Sequence, residues 1–579
     1  VLLKLLRFYL RPHRGALLAI LALQLVSTVA AMLLPGLTAD VINKGLLAAD
    51  SGAVVRLGLI MLVISAVQMG AQVATAYFAA RTAARAGGAI RESVFAKVQR
   101  LSVAEVSEIG APSLVTRSTN DVLQVQMVTL MGSMFIVSAP MMMIGGIVMA
   151  VLEDPPLSWL IVGAVPTLLA IMAGAIVLAR PLFVVVQKRI DAINRLMREQ
   201  VSGVRVIRAF NRQGTQRGTF EEASENLAGT QRRIGIVFGI TFPLVQLVVM
   251  GGQVLVVWFG GLRVDAGAME PGSIVAFLSY LMFIFMSVMF SVMMLIMVPR
   301  AEVCAGRIAE VLDVSPAIAP PAQAVAIGPR SEGRRIEFVD ATFGYPGADE
   351  PVLDRISLTL QPGTTTAVVG STGSGKTTLV NLLPRLLDVT DGELRFGGVD
   401  VRTAALGDLR SRVALVPQQA YLFGGTIRST LSLGRGEVSD ERLWQALEVA
   451  QGAGFVREYE EGLDHTVEPG GANFSGGQRQ RLAIARALVH GGEVYAFDDA
   501  FSALDMATDA RLRAALPTMT AGATTVVVAQ RVSTIRDADQ IVVLDEGRIA
   551  GLGTHEELMG DCETYREIVL SQLSEEEAA

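Results

Sequence analysis

Cysteine is nearly missing: the chain of 579 residues has only two, Cys304 and Cys562. They lie too far apart in sequence to frame a disulfide scaffold or a zinc site. Histidine is scarce too. His13, His465, His490 and His555 are scattered, and no local spacing builds a multi-histidine metal site. Basic charge is not in excess, with 49 Lys and Arg against 55 Asp and Glu and a net charge of −6. That excludes a generally basic nucleic-acid binder, so no nucleic-acid partner is expected. Charge of either sign is thin, at 18% of residues, while hydrophobic residues make up 51%. With a mean hydropathy of +0.47, the composition is that of a chain partly embedded in a membrane. Intrinsic disorder is excluded for most of it. The length sets a prior of about four domains' worth of chain.

Charge is absent altogether from six runs, at 15–39, 57–80, 122–152, 155–179, 234–262 and 271–299. Each is long enough for a helix to cross a hydrocarbon core, which takes about 20 residues. The first run is too long for a signal peptide and shows no small-residue cleavage site. The segments between runs alternate in character. Residues 1–14, 81–121 and 180–233 carry 21 Lys and Arg, and residues 40–56, 153–154 and 263–270 carry 3. The positive-inside rule then places both ends of the membrane part in the cytoplasm. Segments 81–121 and 180–233 read as membrane helices that run far into the cytoplasm and turn back. The stretch "VLLKLLRFYLRPHR" alternates apolar and basic residues at helical spacing, which suits an interfacial elbow helix.

An ion- or proton-driven carrier needs ionisable groups inside the membrane. None lies in the six runs, so the energy comes from elsewhere. The polar residues there, Gln24, Gln68, Gln72, Gln246 and Gln253, either line a substrate path or bond between helices. Methionines such as Met141 to Met143 and Met282, Met286, Met289, Met293, Met294 and Met297 give pliable apolar surface, for greasy ligands or for lipid packing.

The membrane pattern stops near residue 310. Residues 311–335, rich in Pro, Ala and Gly, read as a linker, and 336–579 has the composition of an α/β domain. Its first strong motif runs Gly370, Ser371, Thr372, Gly373, Ser374, Gly375, Lys376, Thr377, followed by Thr378. It fits G-x-x-x-x-G-K-[ST], with the strand-like "TTTAVV" before it and the helical "TTLVNLLPRLL" after. The glycines let backbone N–H groups converge on phosphate at a helix N-terminus. Lys376 is then expected to reach the β- and γ-phosphates, and Thr377 to ligate Mg²⁺. A second apolar strand, Val494 to Phe497, ends in Asp498, the form of a carboxylate that holds the magnesium shell. Asp499 follows it.

With these residues in view, the whole chain resembles a half-transporter of the ATP-binding-cassette exporters. The implied fold is an all-α membrane domain of six helices extended into the cytoplasm, residues 1–310, fused to an α/β P-loop nucleotide-binding domain. The resemblance implies further roles. "NFSGGQRQR" matches the signature motif, with Ser475, Gly476, Gly477 and Gln478 acting on ATP bound to another subunit. "VPQ" matches the Q-loop, with Gln418 touching both Mg²⁺ and the region docked by the membrane helices. Tyr345 sits where an aromatic ring stacks on adenine, Ser502 and Asp505 match the D-loop, and "TVEPGG" resembles the X-loop. Coupling elements are expected around Ser113–Asn120 and Ala209–Gln213, where Arg205, Arg208 and Arg212 either dock or stay solvated.

Two residues depart from the family pattern. Its catalytic glutamate is Asp499 here, and its switch histidine is Gln530. Aspartate is one methylene shorter, and a misplacement of about 1 Å costs on the order of 10²-fold in rate. Glutamine does not titrate near neutral pH. ATP and Mg²⁺ are still expected to bind, through Lys376, Thr377 and Asp498, with slow hydrolysis. The pattern resembles the degenerate-site subunit of a heterodimeric multidrug-type exporter, whose sister subunit restores Glu and His. The implied substrates are hydrophobic or amphipathic compounds moved across the lipid bilayer of a bacterial cytoplasmic membrane. Open alternatives are a slow homodimer, an importer of a lipophilic siderophore, and a regulatory subunit that does not hydrolyse ATP.

Overall fold

A computed structural model describes residues 1–331 and 333–572. Glu332 of the expected linker, and 573–579 at the end of the expected nucleotide-binding domain, lie outside the described residues. The chain divides into two compact units, one of Val1–Gln99 with Ile109–Val314, the other of Arg100–Glu108 with the chain from Ser315 onward.

Among the described residues the first unit has six helices long and apolar enough to cross a membrane: α1 Leu2–Leu46, α2 Ser51–Val98, α3 Ala111–Glu153, α4 Pro156–Ser202, α5 Gln213–Asp265 and α6 Pro271–Asp313. Each is 43 to 53 residues long, about twice what a bilayer needs. The charge-free run occupies the first half of α2, α4 and α6 and the second half of α3 and α5. Because successive helices run antiparallel, the charged halves all extend on one side. α1 packs on α2, α4 on α5, and α6 on α3 and α1.

The packing follows membrane logic. On α2 the buried stripe is small: Ala71, Thr75, Ala79, Ala83, Ala86 and Gly87, at three- and four-residue spacing. Small residues let helix backbones approach closely. The large apolar side chains of the same helix, Leu59, Leu62, Val63 and Met69, point outward. Ion pairs tie the helices at both ends. Arg117 meets Glu310 at 2.9 Å, and Arg263 meets the buried Asp154 at 3.1 Å.

One expected continuous run is interrupted. α3 breaks at Ile136–Val137, in the middle of 122–152. Pro140 has no N–H, and its ring excludes the carbonyl four residues earlier. Gln24 of α1 bonds two carbonyls just before the break, its Nε2 donating to Ser133 O at 2.6 Å and Met134 O at 2.7 Å. Of the two roles open to Gln24, the structure shows the interhelical bond. Gln24→Leu removes both bonds, leaving Met134 O with Ser138 Oγ as donor at 2.9 Å, and such interhelical bonds contribute about 0.6–1.7 kcal/mol in membranes. The expected result is a loss of about 1–2 kcal/mol, read as a lowered melting temperature in detergent.

Among the described residues the second unit has twelve strands: β1 Ile336–Phe343, β2 Leu353–Leu360, β3 Thr365–Gly370, β4 Asp391–Phe396, β5 Val399–Asp400, β6 Val413–Val416, β7 Gly425–Thr426, β8 Thr466–Val467, β9 Val494–Asp498, β10 Thr524–Val528, β11 Gln540–Asp545 and β12 Arg548–Gly553. Six of them form a sheet ordered β12-β11-β3-β10-β9-β6, and four form an antiparallel sheet ordered β2-β1-β4-β5. Within the larger sheet only β12 runs antiparallel. Its central strands are near-continuous apolar runs such as "TTVVV" and "IVVLD", as parallel strands buried on both faces must be. Val528 of β10 is in register with both Val368 of β3 and Asp498 of β9. The carboxyl ends of three strands therefore open on one place, where ligands of such sheets bind.

The short stretch Arg100–Glu108 belongs with this second unit, and Ala317 N–H donates to Glu105 Oε1 at 2.8 Å within it. The expected coupling stretch Ser113–Asn120 forms the opening turns of α3. The separate short helix is Val103–Ile109, ended by Gly110 at φ 83°. The second expected stretch begins at the end of a short helix, Val204–Ala209, and leads through a turn into α5.

Candidate ATP site

The loop 370–375 leaves β3 and enters helix α7, Lys376–Leu382. It turns through left-handed glycines, with Gly373 at φ 89° and Gly375 at φ 97°. A Cβ on Gly375 would also lie 2.6 Å from Leu353 Cδ2 and 2.9 Å from Val352 O. Gly375→Ala thus meets both a clash and the roughly 1–2 kcal/mol cost of a left-handed side chain. The expected result is ATP affinity lowered at least about tenfold, measured with a fluorescent ATP analogue.

Lys376 folds back over the loop, its Nζ donating to Gly370 O at 2.9 Å and Ser371 O at 2.6 Å. Burial pulls its ammonium below the ordinary lysine range, against the opposing pull of Asp499 and Asp498. Thr377 Oγ1 donates to Asp498 Oδ1 at 3.0 Å. Burial pushes Asp498 above the usual carboxylate range, with the neighbouring Asp499 adding to it. Asp499 is raised in the same direction, again by burial first.

Asp499 is unusual in its backbone, at φ 49°, with its N–H bonded to Val528 O at 3.0 Å. One carboxylate oxygen, Oδ2, accepts from two amides: Gln530 Nε2 at 3.0 Å and Gln418 Nε2 at 3.4 Å. Gln530 is itself steadied by Gln572, whose Nε2 donates to its carbonyl at 2.6 Å. Tyr345 stands at the rim, half exposed, with its hydroxyl 3.3 Å from Thr378 Oγ1 and its ring edge-on to Phe343 at 5.0 Å.

These residues line one cavity of about 390 Å³, bounded by Tyr345, Thr372, Gly373, Gly375, Lys376 and Thr377 and closed by Thr378, Gln418, Asp498, Asp499 and Gln530. The sequence-predicted signature residues are elsewhere. Ser475 caps helix α8, Gly476–His490, in a reciprocal pair: its Oγ accepts from Gln478 N–H, and Gln478 Oε1 accepts from Ser475 N–H at 2.9 Å. None of Ser475, Gly476, Gly477 and Gln478 lines the cavity, and Ser475 and Gly476 are exposed. Of the two D-loop residues, Ser502 donates to Asp499 O at 2.8 Å, and Asp505 caps the following helix at Thr508 N–H, 3.0 Å away.

Sequence reasoning missed two features. Gln572 belongs to no motif. A second cavity of about 390 Å³ opens behind the Q-loop, between Pro417, Tyr421, Phe423, Arg486 and His490. Tyr421 and Phe423 are more than half exposed there. Large exposed aromatics three and five residues past Gln418 were the available signal.

A phosphate-binding loop in an α/β unit, joined in one chain to six membrane-length helices, defines a multi-pass membrane transporter driven by ATP. Residues 17–288 match the ABC transporter transmembrane region, and residues 353–502 match the family described as ABC transporter. An uncharacterized ABC transporter ATP-binding protein of Mycobacterium tuberculosis is 45% identical over 99% of this chain and 98% of its own. The multidrug efflux ATP-binding/permease protein of Mycobacterium bovis is 31% identical over 97% of this chain and 46% of its own. The ATP-dependent lipid A-core flippase of Desulfotalea psychrophila is 33% identical over 64% of each. The chain belongs to the ABC transporter family, with membrane region and ATP-binding domain fused.

Proposed function

We propose that this chain is one half of a heterodimeric exporter of hydrophobic or amphipathic compounds, and that its own ATP site is the slow one. The observation that carries the second part is Asp499. It stands where a longer carboxylate would orient the attacking water, and two amides engage its Oδ2. Gln530, in place of a histidine, is one of them.

Pairing follows from the separation of the parts. The phosphate loop and the signature helix of one chain open on different residues, so each needs its counterpart on a second cassette. A helix N-terminus such as that at Ser475 favours phosphate, and here it would face ATP on the sister subunit. That subunit supplies Glu and His to its own site, so this chain contributes one slow ATP and one working signature. The efflux relative is long enough for two such halves, since this chain spans 46% of it.

A magnesium ion fits the donor set. Thr377, Asp498 and Gln418 offer a hydroxyl, a carboxylate and an amide oxygen, hard donors of the kind that leave places for phosphate. Such an ion would offset the cost of the buried Asp498 charge and neutralise the nucleotide phosphates. Gln418 lines the ATP cavity while its neighbour Pro417 lines the aromatic cavity behind it. Export or flipping fits the charge-free membrane runs and the names of the two functional relatives. The basic segments support a cytoplasmic side of a bacterial membrane for the ATP-binding unit and both ends of the membrane part. The domain limits we propose are 1–310 and 336–579, with 311–335 between them.

The test is ATP turnover in nanodiscs and dye transport in vesicles, for this chain alone and paired with a sister half-transporter carrying Glu and His. The expected result is turnover and transport only in the pair. Normal turnover by this chain alone would replace the pair with a homodimer. Nucleotide binding by the pair without transport would favour a regulatory role.

A further inference from the structure

The start of α1 bounds a cavity of about 720 Å³. One wall is the first helical stretch, Leu2–Leu10, which buries Leu2 and Leu5 and leaves Phe8 largely exposed. Lys4, Arg7, Arg11 and Arg14 line the same cavity. They recur at i, i+3, i+7 and i+10, the spacing of one helical face. The opposite wall is Ser93 of α2 with Ala309 and Leu312 of α6. Asp313 is the one carboxylate on the lining. All four cations are exposed, and among the described residues none of the four is held in an ion pair. Arg14 immediately precedes the charge-free run 15–39.

We propose that this cavity binds one anionic phospholipid. The phosphate lies against Arg11 and Arg14, next to where the apolar run begins. An acyl chain covers Phe8, Leu5 and Leu312. Four cations against one carboxylate select an anionic headgroup over a zwitterionic one. The apolar wall selects a lipid over a free anion. Each basic side chain near an anionic membrane surface contributes about 1 kcal/mol, roughly a fivefold gain in binding. The inference is independent of how this chain's ATP site behaves.

The full chain in detergent is titrated with phosphatidylglycerol or phosphatidylcholine, and bound lipids are counted by native mass spectrometry. The expected result is one phosphatidylglycerol held at least about tenfold more tightly than phosphatidylcholine. Arg11→Gln with Arg14→Gln lowers that affinity about 30-fold, and Lys4→Gln with Arg7→Gln does so by a similar factor. The two pairs serve as independent variants should one fail to fold. Arg56→Gln, distant in sequence and outside the cavity lining, leaves binding unchanged. Millimolar inorganic phosphate does not displace the lipid. Equal affinity for the two lipids overturns the proposal. So does an equal loss in Arg56→Gln, or displacement by phosphate, which would make the site one for a free anion.

Discussion

Replacing Asp499 by asparagine is expected to change ATP turnover of the paired transporter by less than about twofold, whereas glutamine in place of the sister subunit's catalytic glutamate lowers it about 10²-fold or more. Two properties of Asp499 pull in opposite directions. Burial raises its pKa, which moves a carboxylate toward the range of a working general base. Its geometry works against that role. A general base must first reach the proton it abstracts, and only then does its pKa matter. The Asp499 side chain is one methylene shorter than glutamate, and its Oδ2 is engaged by Gln530 at 3.0 Å and Gln418 at 3.4 Å. Asparagine keeps the size and one acceptor oxygen, so the neighbouring amides retain a partner. ATP retention should persist too, since Lys376, Thr377 and Asp498 are untouched. The measurement is steady-state ATP hydrolysis of the two singly substituted pairs beside the parent. If Asp499→Asn alone removes turnover, Asp499 is a working base, and a homodimer with two equal sites takes the place of the asymmetric pair.

What the sequence disclosed depended on how local each feature is. The phosphate loop was readable because its function needs consecutive residues with a fixed backbone path, Gly370 to Thr377. Asp498 was readable as the end of an apolar strand, whereas Asp499 and Gln530 were placed beside it by the resemblance to the family; parallel neighbouring strands bring those positions together. The membrane runs were readable because a bilayer imposes one length and one composition. The features that escaped depend on packing between distant segments. Gln572 reaches Gln530 across 42 positions. An interhelical bond from Gln24 was open from the sequence, but not its partners, two carbonyls 109 and 110 positions away. That Arg100–Glu108 groups with the ATP-binding unit while Ser113–Asn120 groups with the membrane helices was also not legible. The charged composition of 81–121 is helical throughout, so nothing local marked which part leaves the line of the helices.

Restoring the family residues should restore the chemistry, and both are needed. Asp499→Glu with Gln530→His is expected to raise hydrolysis at this chain's own site about 10²-fold, while either change alone moves it only severalfold. Glutamate extends the carboxylate by about 1.5 Å, one carbon–carbon bond. With Gln530 still present, its amide remains a donor beside that carboxylate, now 3.0 Å from Asp499 Oδ2. Histidine alone gains a titrating ring near neutral pH but leaves the shorter side chain out of reach of the water. Residues that act as one unit are strongly non-additive, so the double change should far exceed the product of the single ones. The experiment places both changes in a pair whose sister glutamate is already glutamine, so that all remaining turnover reports this site. ATP affinity, set by Lys376 and the loop glycines, should stay constant across the series and serves as the control for folding. Background turnover in the double variant, with ATP still bound, would mean that Asp499 and Gln530 are not what slows the site.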